Sequence, residues 1–355
     1  EAEFTEVGAL IGAFMLPGVA AALAGGWMGA RWGEARVAIG GLAVMAASGA
    51  AMAYLSDFES LFATRLILGG GAVALNVMLT KMAADWFEGE DLPIALGLLG
   101  SSWPMGMALA LLVLPPAAAQ LGEREALLGV ALLSALACGL IAGLWRSPPG
   151  QAQAAAAPRV PLDGGELRAV ALAGIAWGCF NVSFAGTLSF TPDLFVSRGM
   201  DPQTAAAVVS ISGWVSILSV AAGGWIARAI GGRGPTLAVC AIGGAATLTW
   251  VALDLPATGT SAVLAVSAVL VGPAAAVLPA MPSVATRAAS RAMGMGVFYA
   301  LYYALMAIGP LVLGWLRGAT DDAAIPVLGC AALYAAMLIP AMLFERQVRR
   351  RPAPA

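Results

Sequence analysis

The sequence contains no histidine, and its four cysteines stand singly in apolar stretches without a C-x-x-C pair. Histidines and closely spaced cysteines are the usual protein ligands of zinc and related metals. Their absence argues against a metal centre of this kind, and we expect neither a metal nor an organic cofactor. We interpret Cys138, Cys179, Cys240 and Cys330 as core or lipid-facing residues.

Charge is also scarce, since Lys, Arg, Asp and Glu make up only 11% of the chain. Eighteen basic residues face twenty acidic ones, so there is no basic excess of the kind that binds phosphates, and nucleic acid is not an expected partner. What the sequence does have is 60% hydrophobic residues and a mean hydropathy of +0.87. This leaves too little polar surface to cover a water-soluble globule. The composition therefore predicts a membrane protein.

Long apolar stretches account for this hydropathy. A helix of about 20 apolar residues crosses about 30 Å of hydrocarbon, and the chain offers eleven such stretches. The first is not a secretory signal, because Glu1, Glu3 and Glu6 precede it where a basic segment should lie. The sequence thus predicts an all-α, multi-pass protein with spans near residues 8–29, 36–56, 61–84, 93–118, 126–145, 168–190, 203–226, 235–254, 260–284, 293–316 and 323–344.

The distribution of Lys and Arg predicts the orientation. When alternate loops are assigned to alternate sides, 14 of the 18 basic residues fall on one side, and only Arg65, Arg124, Arg198 and Arg317 fall on the other. Loops rich in Lys and Arg stay in the cytoplasm. We therefore expect the carboxyl terminus to be cytoplasmic and the amino terminus to be outside.

Two similar strings lie 198 residues apart, each at the predicted cytoplasmic end of a span. Their small residues correspond in register, and each string leads into a short basic turn. Small residues at every fourth position let another helix approach closely, and ordinary helix packing is one explanation. Two matched copies indicate two structural halves and a candidate cytoplasmic gate. The gate residues are Gly25, Gly29, Arg31 and Gly33 in the first copy, and Gly223, Ala227, Gly231 and Arg233 in the second.

The first copy, Gly26-Trp27-Met28-Gly29-Ala30-Arg31-Trp32-Gly33, resembles the loop signature G-x-L-A-D-R-x-G-R-R of the major facilitator superfamily of transporters. The resemblance covers essentially the whole chain and implies two pseudo-symmetric helical bundles of six helices each. In the family, the signature Asp helps to close the cytoplasmic side. Here that position is Ala30 in one copy and Arg228 in the other, which weakens the expectation of a carboxylate latch.

Two further motifs resemble those of the family. Arg65-x-x-x-Gly69-x-Gly71 is similar to the arginine motif of its fourth helix. Gly97-x-x-Gly100-x-x-x-Pro104-x-Gly106 is similar to the Gly/Pro motif of its fifth helix, which the family uses where its halves meet, although mere helix packing explains this string equally well. These correspondences make 8–29 the family's second helix. We therefore expect the first helix to be missing, with 11 of 12 helices present and an upstream segment supplying the other.

The expected domains are an N-terminal bundle over 1–146, a cytoplasmic linker over 147–167 and a C-terminal bundle over 168–355. The linker is rich in Pro, Gln, Ala and Gly and poor in large apolar residues. The resemblance implies that 61–84, 168–190 and 260–284 line the transport pathway.

On 61–84, Arg65, Gly69, Ala72, Asn76 and Thr80 share one helix face and form a polar stripe about 20 Å long. An arginine inside a membrane costs roughly 2.5 to 3.5 kcal/mol, so its retention suggests a function. The alternative is that Arg65 snorkels to the nearby interface. Asn76 adds an amide near mid-membrane.

Aromatic residues provide the other pathway candidates. Trp177, Asn181 and Phe184 share a face of 168–190, and Tyr299, Tyr302 and Tyr303 lie on 293–316. Core packing explains these aromatic residues about as well as substrate contact does. The Ser212, Ser216 and Ser219 stripe is better explained by hydrogen bonds to carbonyls of its own or a neighbouring helix. No carboxylate falls clearly within a span, and Asp193 is the nearest candidate for a proton carrier.

These observations predict a secondary transporter of the bacterial cytoplasmic membrane, not an enzyme. We expect a monomer that moves a small polar or anionic solute by alternating access, with or without a coupling ion. Arg65 would repel a cation. Within the superfamily the sequence resembles the cyanate and nitroimidazole branch. The alternative is a non-transporting sensor or assembly protein on the same fold. An ATP-driven permease is disfavoured because the chain has no P-loop motif.

Overall fold

The computed structural model describes residues 4–21, 28, 32–87, 91–146, 161–253, 259–287 and 290–349, apart from a few side chains within helices. All regular secondary structure in these ranges is helical. The α-helices are α1 Phe4–Met15, α2 Glu34–Met52, α3 Phe58–Trp86, α4 Asp91–Leu121, α5 Glu123–Leu144, α6 Gly164–Ser197, α7 Pro202–Ala221, α8 Gly223–Ala229, α9 Arg233–Ala252, α10 Thr260–Val277, α11 Met281–Ala285, α12 Arg291–Thr320 and α13 Ala324–Arg349.

Within the described ranges, ten helical stretches are long and apolar enough to cross a membrane, and an eleventh, Thr5–Ala21, is a shorter apolar helix. Each of the eleven predicted spans overlaps one of these stretches, and residues 22–27 and 29 of the span predicted at 8–29 lie outside the described residues. The all-α, multi-pass prediction is therefore confirmed. Spans 203–226 and 260–284 are each built from more than one helical segment, because α8 follows α7 after Ala222 and a 3₁₀ turn Leu278–Ala280 joins α10 to α11.

Local chemistry fixes where several helices begin. Asp57 caps α3 by accepting a hydrogen bond from the Ser60 backbone N–H at 2.8 Å. Asp201 caps α7 in the same way, and Pro202 follows at the first turn, where its missing N–H has no cost. Both caps satisfy backbone donors that the first turn of a helix leaves free.

The chain divides at α6, and we call α1–α5 the N-terminal half and α6–α13 the C-terminal half. The halves meet mainly along two helix pairs, α1 with α12 and α4 with α7. In the first pair, a Cβ placed on Gly12 would stand 2.0 Å from the Ala307 carbonyl oxygen, and one on Gly8 would stand 2.4 Å from that of Pro310. Only glycine permits such backbone contact. We call the region along these two pairs the seam.

Helix α6 is the centre of the core. It packs against α12, α13 and α7, and most of its apolar length is buried. Helices α4 and α5 are the opposite case, since few of their residues are buried and α5 exposes leucines such as Leu133 and Leu140. Exposed apolar side chains of this kind suit a lipid environment.

The contacts that charged side chains make between elements gather near the two ends of the helices. A buried Glu166 accepts hydrogen bonds from the Arg287 guanidinium and backbone, the Ser290 hydroxyl and the Asp163 backbone, at 2.8–3.0 Å. Glu166 thereby raises the pKa of Arg287. The same carboxylate completes a capping box with Asp163 at the start of α6. We call Asp163, Glu166, Arg287 and Ser290 the Glu166 cluster.

Further pairs at the ends agree with the alternate-side assignment. Lys81 pairs with Glu34, and Arg233 with Glu345, between loops predicted to share a side. At the opposite end, Arg198 donates to the Val251 and Ala252 carbonyls at 2.9 and 2.6 Å, and Arg124 lies over the ring of Tyr54. Each contact joins residues that the sequence places on one side. Which end faces the cytoplasm stays a prediction.

Candidate functional site

One face of α6 carries the predicted residues Trp177 and Asn181, and Phe184 completes it. The Trp177 ring stacks on Phe180, with centroids 5.4 Å apart and planes 7° apart. Phe184 lies 5.5 Å from Trp103 of α4, which belongs to the N-terminal half. This contact shows that the face points into the seam and not toward the outside of the bundle.

The tyrosines of α12 meet this face. Tyr302 lies 6.0 Å from Trp177 and 4.7 Å from Tyr303. Tyr299 makes an edge contact with Tyr302 at 6.3 Å. Tyr303 is buried, and its ring packs flat against Gly18 of the N-terminal half, where a Cβ would clash at 2.3 Å. The structure therefore brings Trp177, Tyr299 and Tyr302 together, and it assigns Tyr303 to packing.

Hydrogen-bonding capacity remains unused at this place. The Trp177 Nε1 is buried and has no partner among the described residues. Asn181 uses its Nδ2 to donate to the Trp177 carbonyl at 2.8 Å, within the same helix. A buried donor without a partner costs about 1–3 kcal/mol, and such groups in proteins commonly mark a functional position or a water site.

The polar stripe on α3 does not join the aromatic residues in any described contact. Arg65 and Asn76 are eleven residues apart, a rise of about 16 Å along the helix. The Nε of Arg65 is buried and has no partner in the described part of the chain, whereas Asn76 is exposed. Gly69 serves packing, because a Cβ there would stand 2.0 Å from the Phe14 carbonyl oxygen of α1. Thr80 donates to the Asn76 carbonyl at 2.9 Å.

The candidate gate strings are only partly described. Gly25, Gly29 and Arg31 lie outside the described residues. Gly33 precedes α2 with a φ of 83°, and Gly231 has a φ of 96°, a backbone region that favours glycine.

In the second copy, Gly223 packs closely on α10, since a Cβ there would stand 2.8 Å from that of Ala276, and Ala227 is buried. Arg233 pairs with Glu345, and its guanidinium lies 5.1 Å from the Phe344 ring centroid. Close helix packing thus explains Gly223 and Ala227, whereas Gly231 is explained by its backbone conformation.

Other sequence candidates have structural partners. Ser216 donates to the Ser212 carbonyl at 2.6 Å, and Ser219 donates to that of Ala268 at 2.8 Å, as the packing interpretation of the serine stripe requires. Asp193 accepts from Arg317 Nε at 2.7 Å at a helix end. The structure thus places Asp193 in an ion pair with a residue of α12.

The Gly/Pro motif of α4 lies partly at the seam. Gly213 of α7 packs against it, since a Cβ on Gly213 would stand 2.6 Å from that of Ala108 and 3.1 Å from the Pro104 carbonyl oxygen. A Cβ on Gly100 or Gly106 would have nothing within 4 Å. Pro104 therefore contributes to the contact between the halves, whereas these two glycines do not.

The sequence did not lead us to predict two groups of residues near or behind the candidate site and at the helix ends. Phe180 and Tyr334 form a buried layer behind Trp177, but they look like ordinary apolar residues in the sequence. The Glu166 cluster was missed as well, although the pattern Asp163-Gly164-Gly165-Glu166 is a capping-box signal. Its other members come from a loop more than 120 residues later.

An open cavity lies elsewhere, between α3, α4 and α5 in the N-terminal half. Its volume is about 720 Å³, and its lining is mainly apolar, with Trp86, Leu98, Leu144, Trp145 and Arg146 among the residues. It contains none of the predicted pathway residues. Within the described part of the chain, no cluster of three or more Cys, Asp or Glu residues is arranged to hold a metal ion.

The apolar helices and their packing define a multi-pass α-helical membrane protein. The chain belongs to the Major Facilitator Superfamily, whose sequence model matches residues 2–310. No curated protein matches the sequence. Among solved structures, the nucleoside transporter NupG, in a single-substitution variant, has a similar fold with a TM-score of 0.72. It is 17% identical, and the match covers 97% of this chain and 91% of that one.

At 17% identity, this similarity concerns the fold. Together, the family and the fold identify the chain as a membrane transporter and not an enzyme.

Proposed function

We propose that this protein is a secondary transporter that moves a small polar or anionic solute across the cytoplasmic membrane by alternating access. The observation that carries this proposal is the group of Trp177, Tyr299 and Tyr302, which are partly exposed within the seam. The indole N–H of Trp177 is buried and has no partner among the described residues. Binding sites are lined mainly by apolar and aromatic groups with a few placed polar atoms. A midplane site between two halves is typical of alternating access.

The way the halves meet supports a rocking motion. Among the described residues, two helix pairs provide most of the contact between them, and glycine makes the α1–α12 contact close and smooth. We accordingly propose the domains 1–146 and 168–355 as the moving units, joined by 147–167. We also propose that the carboxyl terminus is cytoplasmic, because of the bias in Lys and Arg.

Arg65 supports a preference for anions. Its guanidinium lies within a span, and its Nε has no partner among the described residues, so it is available to attract a negative solute toward Asn76. We propose Arg65, Asn76, Trp177, Asn181, Tyr299 and Tyr302 as the pathway. The residues of the two gate strings would close its cytoplasmic end.

Counterflow in proteoliposomes tests transport. Vesicles that contain the purified chain are preloaded with unlabelled benzoate, acetate or uridine, and entry of the same labelled compound is measured. Uridine is included because of the fold similarity to a nucleoside transporter. Protein-dependent accumulation of any of the three is expected. Folded protein without accumulation of any of them would favour the alternative of a non-transporting sensor or assembly protein.

Substitution of Arg65 tests its role. Arg65→Ala should lower uptake of an anionic substrate at least tenfold while folded protein remains in the membrane. Arg65→Lys should retain only part of the uptake of the natural chain, because an ammonium lacks the fork geometry of a guanidinium. Unchanged uptake in Arg65→Ala would show that Arg65 only snorkels to the interface.

A further inference from the structure

Aromatic side chains at the seam form two layers, one partly exposed and one buried behind it. Trp103, Trp177, Tyr299 and Tyr302 are partly exposed, and we call these four the aromatic wall. They come from α4, α6 and α12, so both halves contribute.

A second layer holds this wall in place. Phe180 is 4% exposed and stacks on Trp177, and the ring of Tyr334 meets Phe180 edge to face at 5.9 Å. On α12, Phe298 is fully buried and contacts Tyr299 at 5.1 Å. Side chains that are locked from behind present fixed faces, and this reduces the entropy lost when a ligand binds.

The wall faces the seam and not lipid. Phe184 shares the helix face of Trp177 and touches Trp103 across the boundary between the halves. Tyr302 contacts Tyr303, whose ring lies on Gly18 of the N-terminal half. Membrane interfaces also attract Trp and Tyr, but there these residues lie near helix ends. Trp177 and Tyr302 lie in the middle portions of α6 and α12.

The wall carries donors but no charge. Trp177 Nε1 has no partner in the described part of the chain, and within that part the hydroxyls of Tyr299 and Tyr302 make no hydrogen bond. None of the four residues is basic or acidic at neutral pH. Recognition at this surface therefore depends on ring stacking and on hydrogen-bond acceptors in the solute.

Building on the proposed transport function, we propose that the solute contains a flat conjugated ring, which stacks on the aromatic wall, and an acceptor atom that receives the Trp177 Nε1–H. Ring stacking rewards a planar solute, because its whole face meets the π-surface of an indole or phenol. A puckered saturated ring of the same charge and similar size makes poorer contact. An acceptor near Nε1 also removes the cost of a buried donor without a partner.

Matched pairs of compounds test this directly. Binding to the purified full chain in detergent is measured by titration calorimetry for benzoate and cyclohexanecarboxylate, benzamide and cyclohexanecarboxamide, and uracil and dihydrouracil. At least one planar member should bind roughly tenfold more tightly than its saturated partner. If no planar member in the three pairs binds more tightly than its partner, the proposal is wrong.

Substitutions at Trp177 locate the effect. Trp177→Phe keeps a ring but loses the N–H, so the preference for planar compounds should remain while affinity falls several-fold. Trp177→Leu should abolish the preference. Trp250→Leu is the matched control, since Trp250 lies on α9 and is exposed outside the wall, and it should bind like the natural chain. A preference that survives in folded Trp177→Leu would overturn the assignment of Trp177.

The two proposals fail in different ways. Counterflow of acetate together with equal binding within every pair would contradict the ring proposal and support the proposal of transport. Selective binding of planar compounds without counterflow would support the ring site and contradict transport.

Discussion

At the scale of single residues, buried polar groups fall into two kinds. Glu166 is almost fully buried, and both of its carboxylate oxygens accept hydrogen bonds, from Arg287, Ser290 and the Asp163 backbone. The Nε atoms of Trp177 and Arg65 are buried without partners among the described residues. The first kind stabilises the fold, whereas the second kind leaves binding capacity for a solute.

The Glu166 cluster predicts a stability effect. Glu166→Gln places an amide group where two oxygens accept from several donors, so at least one donor loses its partner. We expect a cost on the order of 2 kcal/mol and a lower melting temperature of the purified protein in detergent. Asp321→Asn is the control, because Asp321 is 97% exposed, pairs with Arg317 at 3.2 Å, and has a φ of 50° that asparagine tolerates. Equal shifts in the two variants would contradict this prediction.

At the scale of elements, glycine decides how closely helices approach. Helices α1 and α12 touch through Gly8 and Gly12, and α2 and α3 touch through Gly41 and Gly71, each of which would place a Cβ 2.6 Å from the carbonyl oxygen of the other. The glycines of α5 are different, since Gly139 has nothing within 4 Å of a built Cβ. Glycine thus permits close packing in some helices, whereas in α5 it only lowers the helix propensity.

A pair of alanine substitutions separates these cases. Gly12→Ala must push α1 away from Ala307, so we expect a clearly lower melting temperature. Gly139→Ala should leave the melting temperature unchanged or raise it, because alanine favours the helix by roughly 1 kcal/mol over glycine. Thermal unfolding of both purified variants in one detergent makes the comparison. A loss of stability in Gly139→Ala as large as that in Gly12→Ala would argue against the close contact of α1 and α12.

At the scale of the whole molecule, the two ends of the bundle carry separate sets of polar contacts. A cysteine-free version with Glu123→Cys should react with an impermeant thiol reagent in intact cells, whereas one with Pro161→Cys should be shielded. Both positions are exposed in the structure, and a permeant reagent, which should label both, is the control. Labelling in the reverse pattern would invert the predicted topology.

Much of the architecture could be predicted from the sequence, because apolar length alone signals a span. The residues at which the helices begin and end were harder to predict. The stretch predicted at 168–190 is part of α6, which runs from Gly164 to Ser197, since Asp163 caps it earlier and Pro192 lies inside it without ending it. In a sequence, a proline such as Pro192 predicts the end of a helix, but a packed membrane helix tolerates it.

The site was predictable only where its residues share a helix face. Trp177 and Asn181 are four residues apart, so periodicity placed them together. Trp103 and Tyr334 meet the same cluster from distant segments, and no local pattern signals contacts over such separations. Arg65 and Asn76 were predicted on one stripe, but no described contact joins them to the aromatic wall.

The contact of Gly12 with the Ala307 carbonyl has a consequence for genetics. Most harmful substitutions at a helix interface can be relieved by trimming the side chain opposite. Here the opposing atom belongs to the peptide backbone, which every residue at position 307 shares. Selection for revertants of a Gly12→Ala strain should therefore recover glycine itself or changes that move a whole helix, and no replacement at 307 should act as a suppressor.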